Sequence, residues 1–199
     1  MKKIGITGGI GSGKTIICDV FRLLGVPVFH ADKVASDLQQ NDTNVRKALI
    51  GIFGESIYNS DGMLDRKTVA HLIFNNKELI EKVNLIIHPA VREYFNDWIT
   101  KHYNEDYILY EAAILFESGY YKYLDYNVLI LAEEALRIRR VVKRDNVSEQ
   151  SVRERIKNQM PDNEKISMAD YIIENNEKQL LIPQILKLDK LFREYGKIR

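Results

Sequence analysis

Disulfides, zinc-binding cysteines and membrane-spanning segments are all excluded by what this 199-residue sequence lacks. Cys18 is the only cysteine, so neither an internal disulfide nor a Cys-based zinc site can form. No apolar run approaches the roughly 18 residues that cross a bilayer, and because residues 4–7 already form an apolar strand, we expect no signal peptide. The formal net charge of +1 gives no broad attraction to nucleic acid or lipid. We therefore expect a cytoplasmic protein that binds neither, as a monomer or a weak homo-oligomer.

A glycine-rich segment near the start of the chain carries the strongest functional signal. Gly8–Thr15 follows the apolar run Ile4–Thr7 and fits the phosphate-loop pattern G-x-x-x-x-G-K-[ST]. Four of the six residues from 8 to 13 are glycines, which lets several backbone N–H groups converge on a phosphate chain. The residues predicted to bind the nucleotide are Gly9, Ile10, Gly11, Ser12, Gly13, Lys14, Thr15 and Ile16.

The end of this loop has the groups that a nucleotide phosphate needs. A helix that starts near Gly13 adds unpaired N–H groups and the positive end of its dipole. Lys14 places a point charge on the β- and γ-phosphates, and the Thr15 hydroxyl is a hard oxygen suited to Mg²⁺. The loop alone does not distinguish kinases from GTPases, motors and nucleotide sensors.

The order of the remaining elements predicts an α/β fold with a parallel sheet. A helix from Lys14 to Leu24 ends at Gly25, a fitting residue after a helix. A strand, a helix and a second strand in this order form a parallel unit. Strands are predicted at 26–29, 107–110, 127–131 and 171–173, and a C-terminal helix packs on the sheet through Leu181, Ile185, Leu188, Leu191 and Phe192.

The stretch from His30 to about His102 is almost wholly helical in its periodicity. The predicted helices are Ala31–Gln40, Thr43–Phe53, Arg66–Phe74 and a segment from Lys77 to Pro89 and beyond. In phosphate-loop kinases an insertion at this point usually holds the acceptor substrate. His88-Pro89 precedes Arg92, and a proline at a helix start beside an exposed arginine explains that spacing at least as well as substrate contact does.

Two acids follow predicted strands at the edge where parallel sheets place their ligands. Asp32, after the second strand, can accept a hydrogen bond and then the proton of a substrate hydroxyl. An equally good interpretation is that Asp32 caps the helix that follows. Glu111 ends the third strand and can hold Mg²⁺ through water. Its alternative role is to pair with Lys14 or an arginine in the empty site.

A cluster of five basic residues lies on the predicted helix Glu133–Asn146, and comprises Arg137, Arg139, Arg140, Lys143 and Arg144. Such charge runs are usually solvated faces, balanced here by neighbouring acids. Phosphoryl transfer, however, needs positive charge from outside the loop, and a helical hairpin that carries arginines can supply it. Arg140 and Arg144 share a face. Arg155, on a second helix capped by Ser148, could complete the clamp.

Taken together, these residues resemble those of the bacterial dephospho-CoA kinases over almost the whole chain. The likeness begins with Gly5–Lys14 and continues through Leu24-Gly25, Ala31-Asp32, His88–Arg92 and Leu115–Glu117. Its later positions are Arg140, Arg144-Asp145, Arg155-Ile156, Gln159, Ala169-Asp170 and Asn175.

The resemblance implies an enzyme that phosphorylates the ribose 3′-hydroxyl of dephospho-CoA, with ATP and Mg²⁺. It implies the three-layer phosphate-loop kinase fold, as one domain with a core of residues 1–30, 103–135 and 166–199. A helical acceptor insert is expected at about 31–102 and a small helical lid at about 136–165. By this resemblance, the catalytic residues are Asp32, Lys14 and Arg140. Arg144 is expected to bind ATP together with the loop, and Thr15 and Glu111 are expected to bind the metal. The residues expected to bind the acceptor are His88, Arg92 and Arg155.

The sequence departs from the family pattern at three places. His30-Ala31-Asp32 stands where the family usually has Asp-Ala-Asp, so the first acid is lost while Asp32 remains. Ile16 replaces a common hydroxyl residue, which removes a side-chain contact to phosphate but keeps the backbone N–H. Glu111 is followed by Ala112–Leu115 in place of a proline-leucine-leucine run, and this weakens its assignment to the metal.

Two other functions are consistent with the phosphate loop. One is a related small-molecule kinase that acts on a nucleoside monophosphate or a sugar-like acid such as shikimate. The other is a non-catalytic nucleotide switch, which is disfavoured because the sequence has no Asn-Lys-x-Asp guanine-reading motif. A switch would also not need arginines beside an acid at the acceptor edge.

Overall fold

The computed structural model describes residues 1–73 and 76–194, which fall into two compact units. We call residues 1–30 and the described residues from 102 onward the core unit, and Ala31–Lys101 the insert unit. The strands are β1 Lys2–Thr7, β2 Val28–His30, β3 Tyr107–Glu111, β4 Tyr126–Leu131 and β5 Tyr171–Glu174. The helices are α1 Lys14–Leu23, α2 Ala31–Asn41, α3 Thr43–Phe53, α4 Arg66–Ile73, α5 Lys77–Thr100, α6 Glu134–Asp145, α7 Glu149–Lys157, α8 Asp162–Met168 and α9 Leu181–Glu194.

The sheet of the core unit has the strand order β2-β3-β1-β4-β5 within the described residues. Every neighbouring pair of these strands is parallel. This confirms the predicted α/β fold with a parallel sheet. The carboxyl ends of all these strands therefore lie at one edge, and this is the edge from which the phosphate loop leaves β1.

One face of the sheet is buried under α1 and α9. Alternate side chains of the strands point to this face, as the period of two requires. Ile17, Cys18 and Phe21 of α1 are fully buried against them. The remaining buried members of this core are Ile4, Ile6, Val26, Tyr107, Leu109, Val128, Ile130, Ile173, Ile185, Leu188 and Phe192.

The insert unit is helical, as the sequence predicted, with α2, α3 and α5 packed together. Its buried side chains include Val45, Leu49, Val91 and Phe95. None of the helices within residues 1–73 and 76–194 is long and apolar enough to cross a membrane.

Several helix boundaries follow local signals in the sequence. Gly25 adopts a positive φ of 84° just after α1, and the Ser148 side chain caps α7 by accepting from the Ser151 N–H. Phe74, the predicted end of α4, lies outside the described residues. The helix α8 was not predicted.

The predicted helix from Lys77 to Pro89 and beyond is confirmed, whereas the alternative that Pro89 stands at a helix start is wrong. Pro89 lies in the middle of the 24-residue helix α5, which begins twelve residues earlier with Asn76 as its N-cap. Proline has no N–H to give to the Leu85 carbonyl, and that residue is 74% exposed, so water can satisfy the oxygen. A proline is tolerated here because the affected turn faces solvent.

Phe21 and Leu23 of α1 provide a matched test of this packing. Phe21 is fully buried and Leu23 is 87% exposed. We expect Phe21→Ala to lower the free energy of unfolding by about 3–5 kcal/mol, because it removes buried apolar area and leaves a cavity. Leu23→Ala should change it by less than about 0.5 kcal/mol. Urea denaturation measures both, and similar losses in the two variants would contradict the described orientation of α1.

Candidate active site

The strand register places an acid beside the start of the phosphate loop. In the pairing of β1 with β3, Ile6 lies opposite Glu111, and Gly8 follows two residues later. On the other side of β3, His30 at the end of β2 also lies opposite Glu111. The loop and the predicted metal ligand therefore meet at one edge of the core unit, as the sequence predicted for the carboxyl ends of the strands.

The loop has the tight backbone that its glycines allow. A Cβ at Gly8 would lie 2.6 Å from the Ile130 carbonyl oxygen, so only glycine fits against β4 at this position. Gly11 and Gly13 have φ values of 78° and 97°, in the left-handed region that other residues avoid. The loop is closed by a hydrogen bond from the Ser12 N–H to the Gly9 carbonyl, at 3.0 Å.

The end of the loop presents the groups expected to bind phosphate and metal. Lys14 Nζ donates to the Gly8 carbonyl at 2.9 Å and so folds back over the loop. Thr15 and Ile16, in the first turn of α1, are both exposed. The Ser12 Oγ is buried and has no hydrogen-bond partner among the described residues. A glycine cradle at a helix N-terminus with a lysine above it has the donors and the charge that a triphosphate requires.

Three side chains from later in the chain contact the loop. Gln159 accepts a hydrogen bond from the Ile10 N–H at 2.9 Å, and Asn175 donates one to the Ser12 carbonyl at 2.7 Å. The guanidinium of Arg137 packs directly on Gly9. Sequence reasoning gave Gln159 and Asn175 no individual role, and it named Arg137 only as a member of the basic cluster. Gln159 and Asn175 are positions of the family likeness, which was the one available signal.

The arginines of α6 have different surroundings. Arg140 is three-quarters buried, and its Nη2 donates to Asn175 at 3.2 Å and to Glu177 at 3.3 Å. Asn175 thus connects Arg140 to the loop carbonyl of Ser12 through a single side chain. Arg144 is mostly exposed and is paired with Asp145 at 2.7 Å. The structure therefore brings Arg140 close to the phosphate loop, and it leaves Arg144 on the solvent side of the helix.

Arg155 of α7 reaches the same acid as Arg144. Its Nη1 lies 3.5 Å from Asp145 Oδ2. The hydrogen bond from Arg144, together with the charges of both arginines, holds the pKa of Asp145 below its ordinary value. Asp145 therefore stays ionised at neutral pH and ties the two helices of the hairpin together.

Glu111 is partly engaged by a histidine. His30 Nδ1 lies 3.1 Å from Glu111 Oε2, and the glutamate side chain is only 12% exposed. Burial raises the pKa of the nearby Cys18 thiol, with further effects from the Glu111 carboxylate and the opposing Lys14 charge. The His30 departure from the family pattern gives Glu111 a neighbour that can hydrogen-bond it.

The other predicted site residues belong to the insert unit. Asp32 lies in the first turn of α2 and is exposed, one residue after the unit begins. His88 and Arg92 are exposed on α5, and their four-residue spacing places them on one face of that helix. Clusters of three or more His, Cys, Asp or Glu that could hold a metal do not occur among the described residues. Mg²⁺ does not need such a cluster, since it is usually held by one or two carboxylates together with substrate phosphates and water.

Comparisons with known proteins agree with this arrangement. The model of the dephospho-CoA kinase family matches residues 2–180. The chain belongs to the dephospho-CoA kinase family. The dephospho-CoA kinase of Bacteroides fragilis (strain YCH46) is 40% identical over 186 residues, which cover 94% of this chain and 90% of that protein. Family membership confirms the resemblance and the expectation that the chain is a kinase.

Two solved structures have the same fold. TT1252 from Thermus thermophilus is 30% identical and superposes with a TM-score of 0.84, over 97% of each chain. Dephospho-CoA kinase from Campylobacter jejuni has a TM-score of 0.68, over 98% of this chain and 97% of that one. At 24% identity the second likeness concerns the fold alone. The phosphate-loop kinase fold expected for this dephospho-CoA kinase family member is thus confirmed.

Gly8 and Gly51 provide a matched pair for testing the loop geometry. Gly8→Ala should lower the free energy of unfolding by about 1–3 kcal/mol, because its Cβ would collide with the Ile130 backbone. A Cβ at Gly51, in α3, would meet no neighbouring group of the described chain. Gly51→Ala should therefore raise stability by about 0.5–1 kcal/mol. Thermal or urea denaturation distinguishes the two, and a tolerated Gly8→Ala would contradict the described contact with β4.

Proposed function

We propose that this protein transfers the γ-phosphoryl group of ATP to the ribose 3′-hydroxyl of dephospho-CoA and so forms coenzyme A. The observation that carries the proposal is the match to the dephospho-CoA kinase family over residues 2–180, in a chain that begins with a well-formed phosphate loop. The related proteins from Bacteroides fragilis and Campylobacter jejuni are named for the same substrate. A cytoplasmic location and a monomer or weak homo-oligomer remain part of the proposal.

In this proposal the loop binds the phosphates of ATP. Backbone N–H groups of residues 9–16 and the N-terminus of α1 surround the phosphate oxygens. Lys14, which rests on the Gly8 carbonyl, offsets their negative charge. Thr15 and Glu111 would hold Mg²⁺, which would supply positive charge to offset that of the phosphates. The register that sets Glu111 beside β1 supports this pairing, although His30 already occupies one of its oxygens.

We assign to Asp32 the role of general base for the acceptor hydroxyl. Its carboxylate accepts the hydroxyl hydrogen bond and receives the proton as the new phosphate ester bond forms. The bond between the γ-phosphorus and its bridging oxygen breaks, and ADP leaves. The position of Asp32 two residues after His30, whose strand ends at the loop edge, supports this role. His88 and Arg92 on one face of α5, with Arg155, are assigned to the acceptor.

We assign to Arg140 the role of stabilising the negative charge that develops on the transferred phosphoryl group. Its link to Ser12 through Asn175 supports a place beside the loop. Glu177 and Asn175 take up Nη2 of its guanidinium, whereas Nη1 is buried and has no partner among the described residues, so Nη1 is the nitrogen left for phosphate oxygens when ATP binds. Arg144 is assigned to ATP, and it would have to leave Asp145. Its exposure and its strong pair with Asp145 support a smaller contribution than that of Arg140.

Asp32→Asn tests the proposed reaction and the role of the carboxylate together. The amide cannot accept the hydroxyl proton, so we expect kcat to fall by about 10²–10⁴-fold with little change in ATP affinity. Asp37→Asn, on the same helix, is the control, because Asp37 is an exposed carboxylate bonded only locally to Asn41 in the described structure. The measurement is dephospho-CoA-dependent release of ADP.

Three outcomes are informative. Full activity in Asp32→Asn would remove Asp32 from the chemistry while leaving the reaction intact. Equal losses in Asp32→Asn and Asp37→Asn would indicate damage to α2. Wild-type protein that binds ATP but releases no ADP with dephospho-CoA would contradict the proposed acceptor.

A further inference from the structure

Arg137 is a buried charge in a helix whose other basic residues are more accessible. Its side chain is 5% exposed, against 26% for Arg140 and 73% for Arg139. It lies on the inner face of α6 together with Ile138 and Val141. Burial of a guanidinium is unfavourable unless its donors are paired, so the contacts of Arg137 need an explanation.

Those contacts are with the phosphate loop and with one acid. One terminal nitrogen, Nη1, packs on Gly9, and the backbone carbonyl of Arg137 would lie 2.5 Å from a Cβ at Gly11. The other terminal nitrogen, Nη2, lies 3.0 Å from Asp162 Oδ2 at the start of α8. The third donor, Nε, is buried and has no partner among the described residues.

The charge of Arg137 is only partly offset. Asp162 is 34% exposed, so water screens its carboxylate more strongly than it screens the buried guanidinium. A net positive field therefore remains beside Gly9. Lys14 provides a fixed positive charge over the same loop, and Arg137 would provide a second one.

We propose that Arg137 is a positioning residue for the phosphate loop: its guanidinium packs on Gly9 and so fixes the backbone there, and its positive charge strengthens binding of the nucleotide phosphates. The proposal rests on the proposed function, since it requires that the loop binds ATP. The competing explanation is that the ion pair merely ties α6 to α8. The two explanations differ in what happens when each partner of the pair is removed.

The experiment compares Arg137→Met with Asp162→Asn, because each breaks the same ion pair. Methionine fills the apolar part of the site and leaves behind an acid that water can reach. Asp162→Asn instead leaves a buried, uncompensated guanidinium, so it should lower the melting temperature more. The affinities of each variant for ATP and AMP are measured without acceptor by calorimetric titration, and thermal denaturation gives the melting temperatures.

The variant expected to lose more ATP affinity, Arg137→Met, is not the one expected to lose more stability, which is Asp162→Asn. Arg137→Met should weaken ATP binding by about tenfold, and AMP binding by less, because the lost charge acts on the phosphates. Asp162→Asn should bind ATP at least as tightly as wild type. Arg137→Lys, which keeps the charge, should restore most of the affinity. If Arg137→Met does not fold, Arg137→Gln makes the same comparison.

Two results would overturn the inference. Unchanged ATP affinity in folded Arg137→Met would show that the guanidinium serves the fold alone. Equal weakening in Arg137→Met and Asp162→Asn would assign the effect to the ion pair and not to Arg137. Wild-type protein that fails to bind ATP would instead contradict the proposed function of the loop, so the two failures are distinguishable.

Discussion

The parallel register of β3, β1 and β4 is the constraint on which the site depends. It sets Glu111 beside Ile6 and brings the Ile130 carbonyl against Gly8. Because β1 ends between two buried neighbours, the chain must leave the sheet through a turn in which a side chain has no room. A glycine-rich loop is thus required by packing as well as by phosphate binding.

The loop is also held in place by side chains that are distant from it in the sequence. Gln159 and Asn175 pair with its backbone, and Arg137 packs on its second glycine. Two of these side chains connect to further charges, since Asn175 accepts from Arg140 and Arg137 pairs with Asp162. A change in the position of α6 would therefore alter the contacts made with Gly9 and Ser12. Such coupling gives a physical route by which the arginine helix and the phosphate loop can respond to one ligand.

The features that were predicted correctly depend on local chemistry. The glycine pattern, the glycine that follows α1, the Ser148 cap and the end of β3 at Glu111 are each set by residues close together in the chain. The burial of Arg137 and the bonds of Gln159 and Asn175 depend on tertiary contacts over more than 100 residues. A run of charged residues in the sequence does not indicate which of its side chains is buried. The alternative that placed Pro89 at a helix start failed because a proline is tolerated inside a helix whose affected turn faces solvent, and the sequence alone does not show which turns do so.

The central claim is the identity of the acceptor, and an acceptor panel tests it most directly. Purified protein with Mg-ATP is given dephospho-CoA, AMP, UMP, shikimate or no acceptor, and ADP release is followed together with the chromatographic identity of the product. The account predicts release that depends on dephospho-CoA and a product that co-elutes with coenzyme A. Turnover with another acceptor and none with dephospho-CoA would contradict the account, while leaving the fold and the phosphate loop as described.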